Sequence, residues 1–418
     1  MGREPGRLGP MTGAARAAWS QVLSARHHLP GKADRLLERA KWLAVGRPAG
    51  LKPAPKPQGQ PPRVLIAPAN AAGQGTAWAG ALSRHGLASG DNWAFEVTKV
   101  FDFEATYRAP FAINAASIAF QRHQFDQVRR SYQAVLLESG LPLFGRLFGY
   151  DPAGEATALA TAGLAVAVMW HGSDVRLPLA HAASHRLSPY GLPSFKRRAA
   201  ELESTARRNR RNLLTSRWPQ LVSTPDLLDS VPGASWCPVV VDLPEASNTE
   251  PLVRDVPKVV HIPSNPVVKG TDLVEPVFRQ LAAAGQIEYI QAAGLPAAEV
   301  LELYGRADIV ADQFRLGIYG VAACEVMARG GLVISDVDDQ VRQRVKAETG
   351  LDLPIWQVEA ANLASGIGQI LAQRDQARRL ATQGRAFVQA IHDGRRSAAV
   401  MARTLGLGGD SDAVADGA

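Results

Sequence analysis

Cysteine is nearly absent. The 418-residue chain carries two, Cys237 and Cys324, which excludes a disulfide framework and a cysteine-based metal set. Both lie in apolar contexts, as expected of a reducing compartment. Long apolar runs are missing too. The longest, residues 156–170, is too short to span a bilayer and is interrupted by Gly163, which separates a helix end from a strand expected over 164–169. The first thirty residues hold no unbroken apolar segment, so no secretory signal is expected. The expected location is cytoplasmic, with peripheral attachment at the inner face of a membrane as an extension of it. Excess positive charge is absent from most of the chain. The net charge is +7, but residues 1–60 hold eleven of the 46 Lys/Arg and three of the 39 Asp/Glu, so the remainder is close to neutral.

A chain of this length is expected to form two or three domains. Its most informative stretch is residues 312–336, DQFRLGIYGVAACEVMARGGLVISD. The apolar run 308–311 reads as a buried strand, and Gly317 and Gly320 loosen the loop behind it. A helix is expected over 321–329, with Val321, Cys324 and Ala328 on one face and Glu325 beside it. Gly330-Gly331 ends it, and 332–334 is the next strand. Strand, glycine-bearing loop and helix N-terminus together make an anion site, because free backbone N–H groups and the helix dipole favour negative charge. Glu325, about one turn in, is placed to accept hydrogen bonds from hydroxyls of a phosphorylated ligand. The plainer alternative is a surface glutamate on an amphipathic helix.

A second stretch, residues 259–272, reads VVHIPSNPVVKGTD. A strand over 259–262 runs into a loop holding Ser264 and Asn265, and Lys269-Gly270-Thr271 opens the next helix. There the lysine ammonium can meet a leaving phosphate. A third, Trp170-His171-Gly172-Ser173-Asp174-Val175-Arg176, follows the strand 164–169. It gathers polar groups at a strand end, near Glu138 at the end of a strand over 134–138; ligands collect at such ends in open α/β sheets. A fourth is Val222-Ser223-Thr224-Pro225-Asp226-Leu227-Leu228, followed by Val231-Pro232-Gly233-Ala234.

These four segments, in this order, resemble the glycosyltransferases of GT-B fold, in particular the retaining, family-4-like "group 1" transferases. The resemblance covers roughly residues 62–400. It implies an α/β fold of GT-B architecture: two Rossmann-like domains whose parallel sheets face a central cleft, here preceded by a basic helical arm. It further implies sugar transfer from a nucleotide-diphospho sugar, with retention, to a glycan, cell-envelope or lipid-linked acceptor. Lys269 and Glu325 are then the catalytic residues on the donor side and His171 faces them from the other domain. Ser264, Asn265, Gly270, Thr271, Gly317, Tyr319, Gly320 and Val321 line the donor site. Gly73, Gly75, Glu138, Ser173, Asp174 and Arg176 line the opposite wall. The sequence departs from the family pattern twice. The family carries two glutamates eight positions apart; the second is Glu325, and Gly317 stands at the first. The family's basic partner to the lysine aligns with Ser264.

The expected domains are an arm and Pro-rich linker at 1–61, an acceptor-side domain at 62–250, and a nucleotide-sugar domain at 251–385. A helix at 386–407 returns to the first domain, and 408–418 is a tail. The arm holds helical stretches within 11–45, and residues 194–217 form a helix with eight basic and two acidic residues. Both stretches, 11–47 and 194–217, suit an anionic membrane surface. The second has little aromatic interleaving, which disfavours nucleic acid. The first domain opens with a strand over 63–67 and a helix over 76–85, followed by a strand over 94–100, a helix over 114–130, and a strand over 235–241 near its end. The Gly73/Gly75 turn suggests a dinucleotide site, but Trp78 stands where the third glycine belongs, so a nicotinamide enzyme is the weaker reading. A non-catalytic GT-B binder of nucleotide or glycan is the other alternative. Asp336-Val337-Asp338 matches a metal-binding pattern; a strand-end Asp and a helix-capping Asp explain it instead. No cofactor and no metal are expected.

Overall fold

The structure is a computed structural model that describes residues 53–96, 103–110, 118–214, 216–245 and 251–407. The arm's helical stretches, the end of the strand expected at 94–100, the start of the helix expected at 114–130 and the tail from 408 lie outside the described residues.

Apolar runs alternate with helices along both halves, and buried apolar runs on both faces are what parallel sheets require. The first sheet has seven parallel strands in the order β3-β2-β1-β4-β5-β6-β7: β1 Arg63–Ala67, β2 Ser89–Glu96, β3 Tyr107–Pro110, β4 Ala134–Glu138, β5 Ala165–Trp170, β6 Gln220–Val222 and β7 Ser235–Trp236. The second has five in the order β12-β11-β10-β8-β9: β8 Lys258–His261, β9 Glu288–Gln291, β10 Ile309–Ala311, β11 Leu332–Ser335 and β12 Trp356–Gln357. Every pairing in both is parallel. In each sheet the order reverses once, around β1 and β4 in the first and around β8 and β10 in the second. Crevices open outside the carboxyl ends of strands at such switch points.

The last two helices tie the halves together. Helix Arg374–Ile391 packs on the second sheet and on helix Val321–Ala328, where Gly384 lets Met327 approach. Helix Arg395–Thr404 and the residue that caps it bury Ala398, Met401 and Leu405 in the first domain's core, beside Trp78 and Leu82. Between them, His392 donates from Nδ1 to Val239 O at 2.8 Å and accepts Val241 N–H on its carbonyl at 3.0 Å.

Three elements differ from expectation. β2 begins at Ser89, ahead of the apolar residues that announced a strand at 94, because its polar residues find buried partners. Tyr132 donates to Asp91 at 3.0 Å, and Asn92 Nδ2 donates to Ile66 O at 3.0 Å. The strand expected over 235–241 pairs only at Ser235–Trp236; Val239 and Val241 bond the crossing chain instead. The basic stretch 194–217 divides into a 3-10 turn, helix Lys196–Asn209 and a π turn at Arg210–Leu214.

Candidate functional site

Two polar groups stand at the two switch points. In the second domain, Asn265 caps the short turn Pro266–Lys269 by accepting Val268 N–H at 3.2 Å. Lys269 ends that turn, and helix Thr271–Ala283 begins two residues later, so the lysine precedes the helix instead of opening it. Gly270 is left-handed, φ +79°, and a Cβ there would press on Arg315 and Phe314. This turn therefore abuts the loop after β10. The Lys269 ammonium pairs with the buried carboxylate of Asp312, across the crevice between β8 and β10. His261 fixes the base of this arrangement from β8. Its Nδ1 donates to Ala311 O at 2.8 Å, and Thr271 Oγ1 lies 2.9 Å from its Nε2. Burial lowers its pKa, so the ring is neutral and accepts the Thr271 hydroxyl. Thr271 thus faces inward, against its expected place in the ligand wall.

Helix Val321–Ala328 starts from an extended Gly320, beside which a Cβ would meet nothing within 4 Å. Its N-terminus therefore opens on free space. Ala323, Cys324, Val326, Met327 and Ala328 are all buried, a wider apolar surface than the single face expected, because sheet and helix Arg374–Ile391 enclose it. Glu325 is half-buried on this helix. Among the described residues, none donates a hydrogen bond to its carboxylate. Burial, opposed by Arg329 and reinforced by Asp312 and Asp242, pushes its pKa up to about 7. A half-buried carboxylate that receives no donor among the described residues and lies next to a lysine–aspartate pair has the character of a binding group awaiting donors, not of a surface glutamate.

In the first domain, Glu138 ends β4 with its side chain fully buried. His171, just past β5, lies with Nε2 3.3 Å from Glu138 Oε1 and stacks on Trp78 at 5.7 Å. Burial alone would lower the His171 pKa; the Glu138 hydrogen bond and the Asp174 charge outweigh it and raise it. Burial raises Glu138. Asp174 accepts His171 N–H at 2.8 Å and so closes the first turn of Gly172–Val175. Its carboxylate is a cap, not an open ligand group. The Nε2 of His171 is likewise turned to Glu138, away from the open role expected of it. Arg176 is buried and paired with Asp226, which keeps its guanidinium charged despite burial. Ser173, Ser264 and Asn265 are exposed.

Four further expected residues are placed by structural needs. Tyr319 is 2% exposed, with its hydroxyl 3.3 Å from His392 Nε2; its ring belongs to the core beneath the loop. At Gly73 (φ +75°) a Cβ would come within 2.9 Å of the Phe103 ring, and at Gly75 within 2.3 Å of the Asn92 amide. Both glycines are thus required by packing against Phe103 and Asn92, a structural role for this turn that needs no dinucleotide. At Gly317 a Cβ would meet the Asp338 carboxylate at 2.3 Å. Asp338 precedes helix Asp339–Thr349 but makes no side-chain cap. It pairs with His185 of the first domain instead, while Asp336 accepts Gln357 Nε2 at 2.8 Å.

The sequence reading missed Asp312, Trp78 and His185. Asp312 follows a buried strand, which was a usable signal; the other two act through tertiary contact alone.

Two parallel sheets in these orders, each with its switch-point crevice, match solved structures over most of the chain. The sucrose-phosphate synthase of Thermosynechococcus elongatus superposes with a TM-score of 0.53 at 15% identity, covering 82% of this chain and 98% of that one. The chain has the GT-B fold. WaaG, a glycosyltransferase involved in lipopolysaccharide biosynthesis, aligns at TM-score 0.48 and 13% identity over 82% of this chain and 99% of its own. HepE of Anabaena, in complex with UDP and glucose, aligns at 0.47 and 11% over 82% and 99%. No family model and no curated protein matches the sequence.

Proposed function

We propose that this GT-B protein is a glycosyltransferase that takes a sugar from a nucleotide-diphospho donor, with retention, and passes it to a glycan, cell-envelope or lipid-linked acceptor. The observation that carries the reading is the Lys269–Asp312 pair at the second switch point, beside an unbonded Glu325 on a helix with an open N-terminus. Asp312 holds the ammonium where a departing diphosphate needs it, and the amides from Gly320 onward add fixed dipoles aimed at the same charge. Glu325 accepts the ribose hydroxyls. The likeness in fold to a sucrose-phosphate synthase supports sugar transfer as the class of activity.

On the acceptor side, Glu138 orients His171 at the end of the first sheet, and closure of the domains excludes water from the donor. In this reading the chemistry requires no metal, since Lys269 and the helix dipole supply the positive charge. Lys196, Arg197, Arg208 and Arg211 are exposed on the basic stretch and suit an anionic acceptor or lipid surface at the inner face of a membrane. Among the described residues, no helix is long and apolar enough to cross a membrane.

The test is donor cleavage by the full-length protein across UDP-, GDP- and ADP-sugars. One donor should be cleaved. Lys269→Ala should lower kcat about 10²–10³-fold, the scale of removing one transition-state charge contact. Glu325→Ala should raise KM about ten-fold or more, as a charged hydrogen bond is lost. Nucleotide binding with no turnover under any acceptor would favour a non-catalytic binder, for which the absent side chain at Gly317 speaks. No nucleotide binding at all would overturn both readings.

A further inference from the structure

The carboxylate beside Gly317 belongs to a different segment. Gly317 is left-handed, φ +64°, and a Cβ there would lie 2.3 Å from Asp338 Cγ and Oδ2. The Asp338 side chain therefore fills the volume that any side chain at 317 would enter. The two loops are locked in register, because Asp338 N–H donates to Gly317 O at 2.9 Å. An aspartate before a helix normally turns back to cap it. This one does not; it reaches across to the first domain and pairs with His185 Nε2, with 38% of its side chain still exposed to solvent.

His185 is itself positioned. Its ring stacks on His181 at 4.0 Å and 9°, and Ser184 Oγ lies 2.9 Å from its Nδ1. His181 bridges Ser188 Oγ at 2.7 Å and the Leu316 carbonyl at 3.4 Å, so the imidazole pair is seated against the same loop that carries Gly317. Asp338 and His185 form part of the wall of an inter-domain cavity of about 320 Å³, completed by Arg176, Asp226, Ile318 and other residues of both domains. Arg176 and Asp226 present a second cation–carboxylate pair on the opposite wall. Paired carboxylates and cations around a small cavity that also carries the apolar side chains of Leu177, Leu316, Ile318 and Val341 match a sugar ring, whose hydroxyls donate and accept at once and whose C–H faces are apolar. The volume lies at the lower end of small-ligand sites. Gly317 stands three residues before Gly320, so the cavity wall is within about 10 Å of the open helix N-terminus. That spacing suits a single sugar ring attached to a diphosphate held there.

We propose that this cavity receives the glycosyl group of the donor, and that Asp338, held by His185, is the residue that reads its hydroxyls. The inference rests on the transferase reading and deepens it: the ligand class is a hexose-like polyol joined to a nucleoside diphosphate. Asp338 is then a specificity-determining residue, and the missing side chain at 317 is answered by a carboxylate from the next strand–helix junction.

The experiment is calorimetric titration of full-length wild type and Asp338→Asn with UDP, GDP and ADP, then with matching nucleotide sugars that differ at one ring hydroxyl. Asp338→Asn is nearly isosteric and keeps the backbone contact to Gly317. The free diphosphate should bind the variant as it binds wild type. The preferred nucleotide sugar should bind about ten-fold or more weakly, the scale of a lost hydrogen bond to a charged group. The ranking among epimeric sugars should change, which loosened domains alone would not produce. Equal loss for diphosphate and nucleotide sugar, unchanged sugar affinity, or a uniform loss across epimers would overturn this inference while leaving the transferase reading intact. Absence of diphosphate binding by wild type would overturn both.

Discussion

Glu325 draws its character from its surroundings. Burial is the largest influence on it, and the nearby carboxylates of Asp312 and Asp242 add to the cost of ionising it, so its pKa rises to about 7 from 4.5. The folded protein therefore holds this proton more tightly than the unfolded chain, and stability falls as pH rises from 4.5 through about 7. Glu325→Gln removes that cost. The variant should be more stable than wild type by about 2 kcal/mol at pH 8, a figure reduced for partial exposure. The difference should vanish below pH 4.5, where both forms are neutral. Thermal midpoints of the two proteins across this pH range check it. A constant difference would mean that the glutamate titrates alike in the folded and unfolded protein. Glu155, whose carboxylate accepts Leu143 N–H at 2.6 Å and Phe144 N–H at 2.8 Å, is pushed by burial to about 8. It is common to both proteins and cancels in the comparison.

The pair formed by β2 and helix Gln74–Arg84 shows where element boundaries were hidden. The residues Ser89 to Asn92 look like a turn, yet they run through the sheet because Asp91 and Asn92 have partners there. Gly90 is required by contact, not by backbone angle. A Cβ at this position would meet Ala79 O at 2.3 Å and Ala79 Cα at 2.7 Å, so helix and strand touch through their backbones. Gly90→Ala should push them apart and cost about 1–3 kcal/mol. Urea unfolding measures it, and an unchanged midpoint would show that the helix can slide freely. By contrast, β1, β4, β5 and β11 were legible from the sequence. Each is a continuous apolar run ending in a polar or glycine-bearing loop, and burial on both faces demands that pattern.

At the scale of the whole molecule, the last described helix completes the first domain. Met401 is 0% exposed in the core that also contains Trp78 and Leu82. Met401→Ala should cost about 2–5 kcal/mol. Five of the eight tryptophans, at 78, 93, 170, 218 and 236, lie in the first domain, so their fluorescence should report the loss directly. A transition unchanged by the substitution would mean that the first domain is stable without the crossing helix. The same crossing explains why residues 238–241 were mistaken for strand. Their apolar side chains are buried, but their backbone groups are satisfied by His392, Gln74 and Trp78 instead of by a sheet neighbour.

The sequence alone determined the βα rhythm, the parallel sheets, the Ser264-Asn265 loop that precedes Lys269 and the glycine-bearing loop that precedes Glu325. These follow from local periodicity and backbone needs, which neighbouring residues encode. The partners were decided by tertiary structure: Asp312 for Lys269, Glu138 and Trp78 for His171, and Asp338 for the space at Gly317. Such pairings join residues far apart in the chain. Side-chain direction at a strand end depends on the register between strands and on how two domains meet, and neither is written in any single stretch of residues.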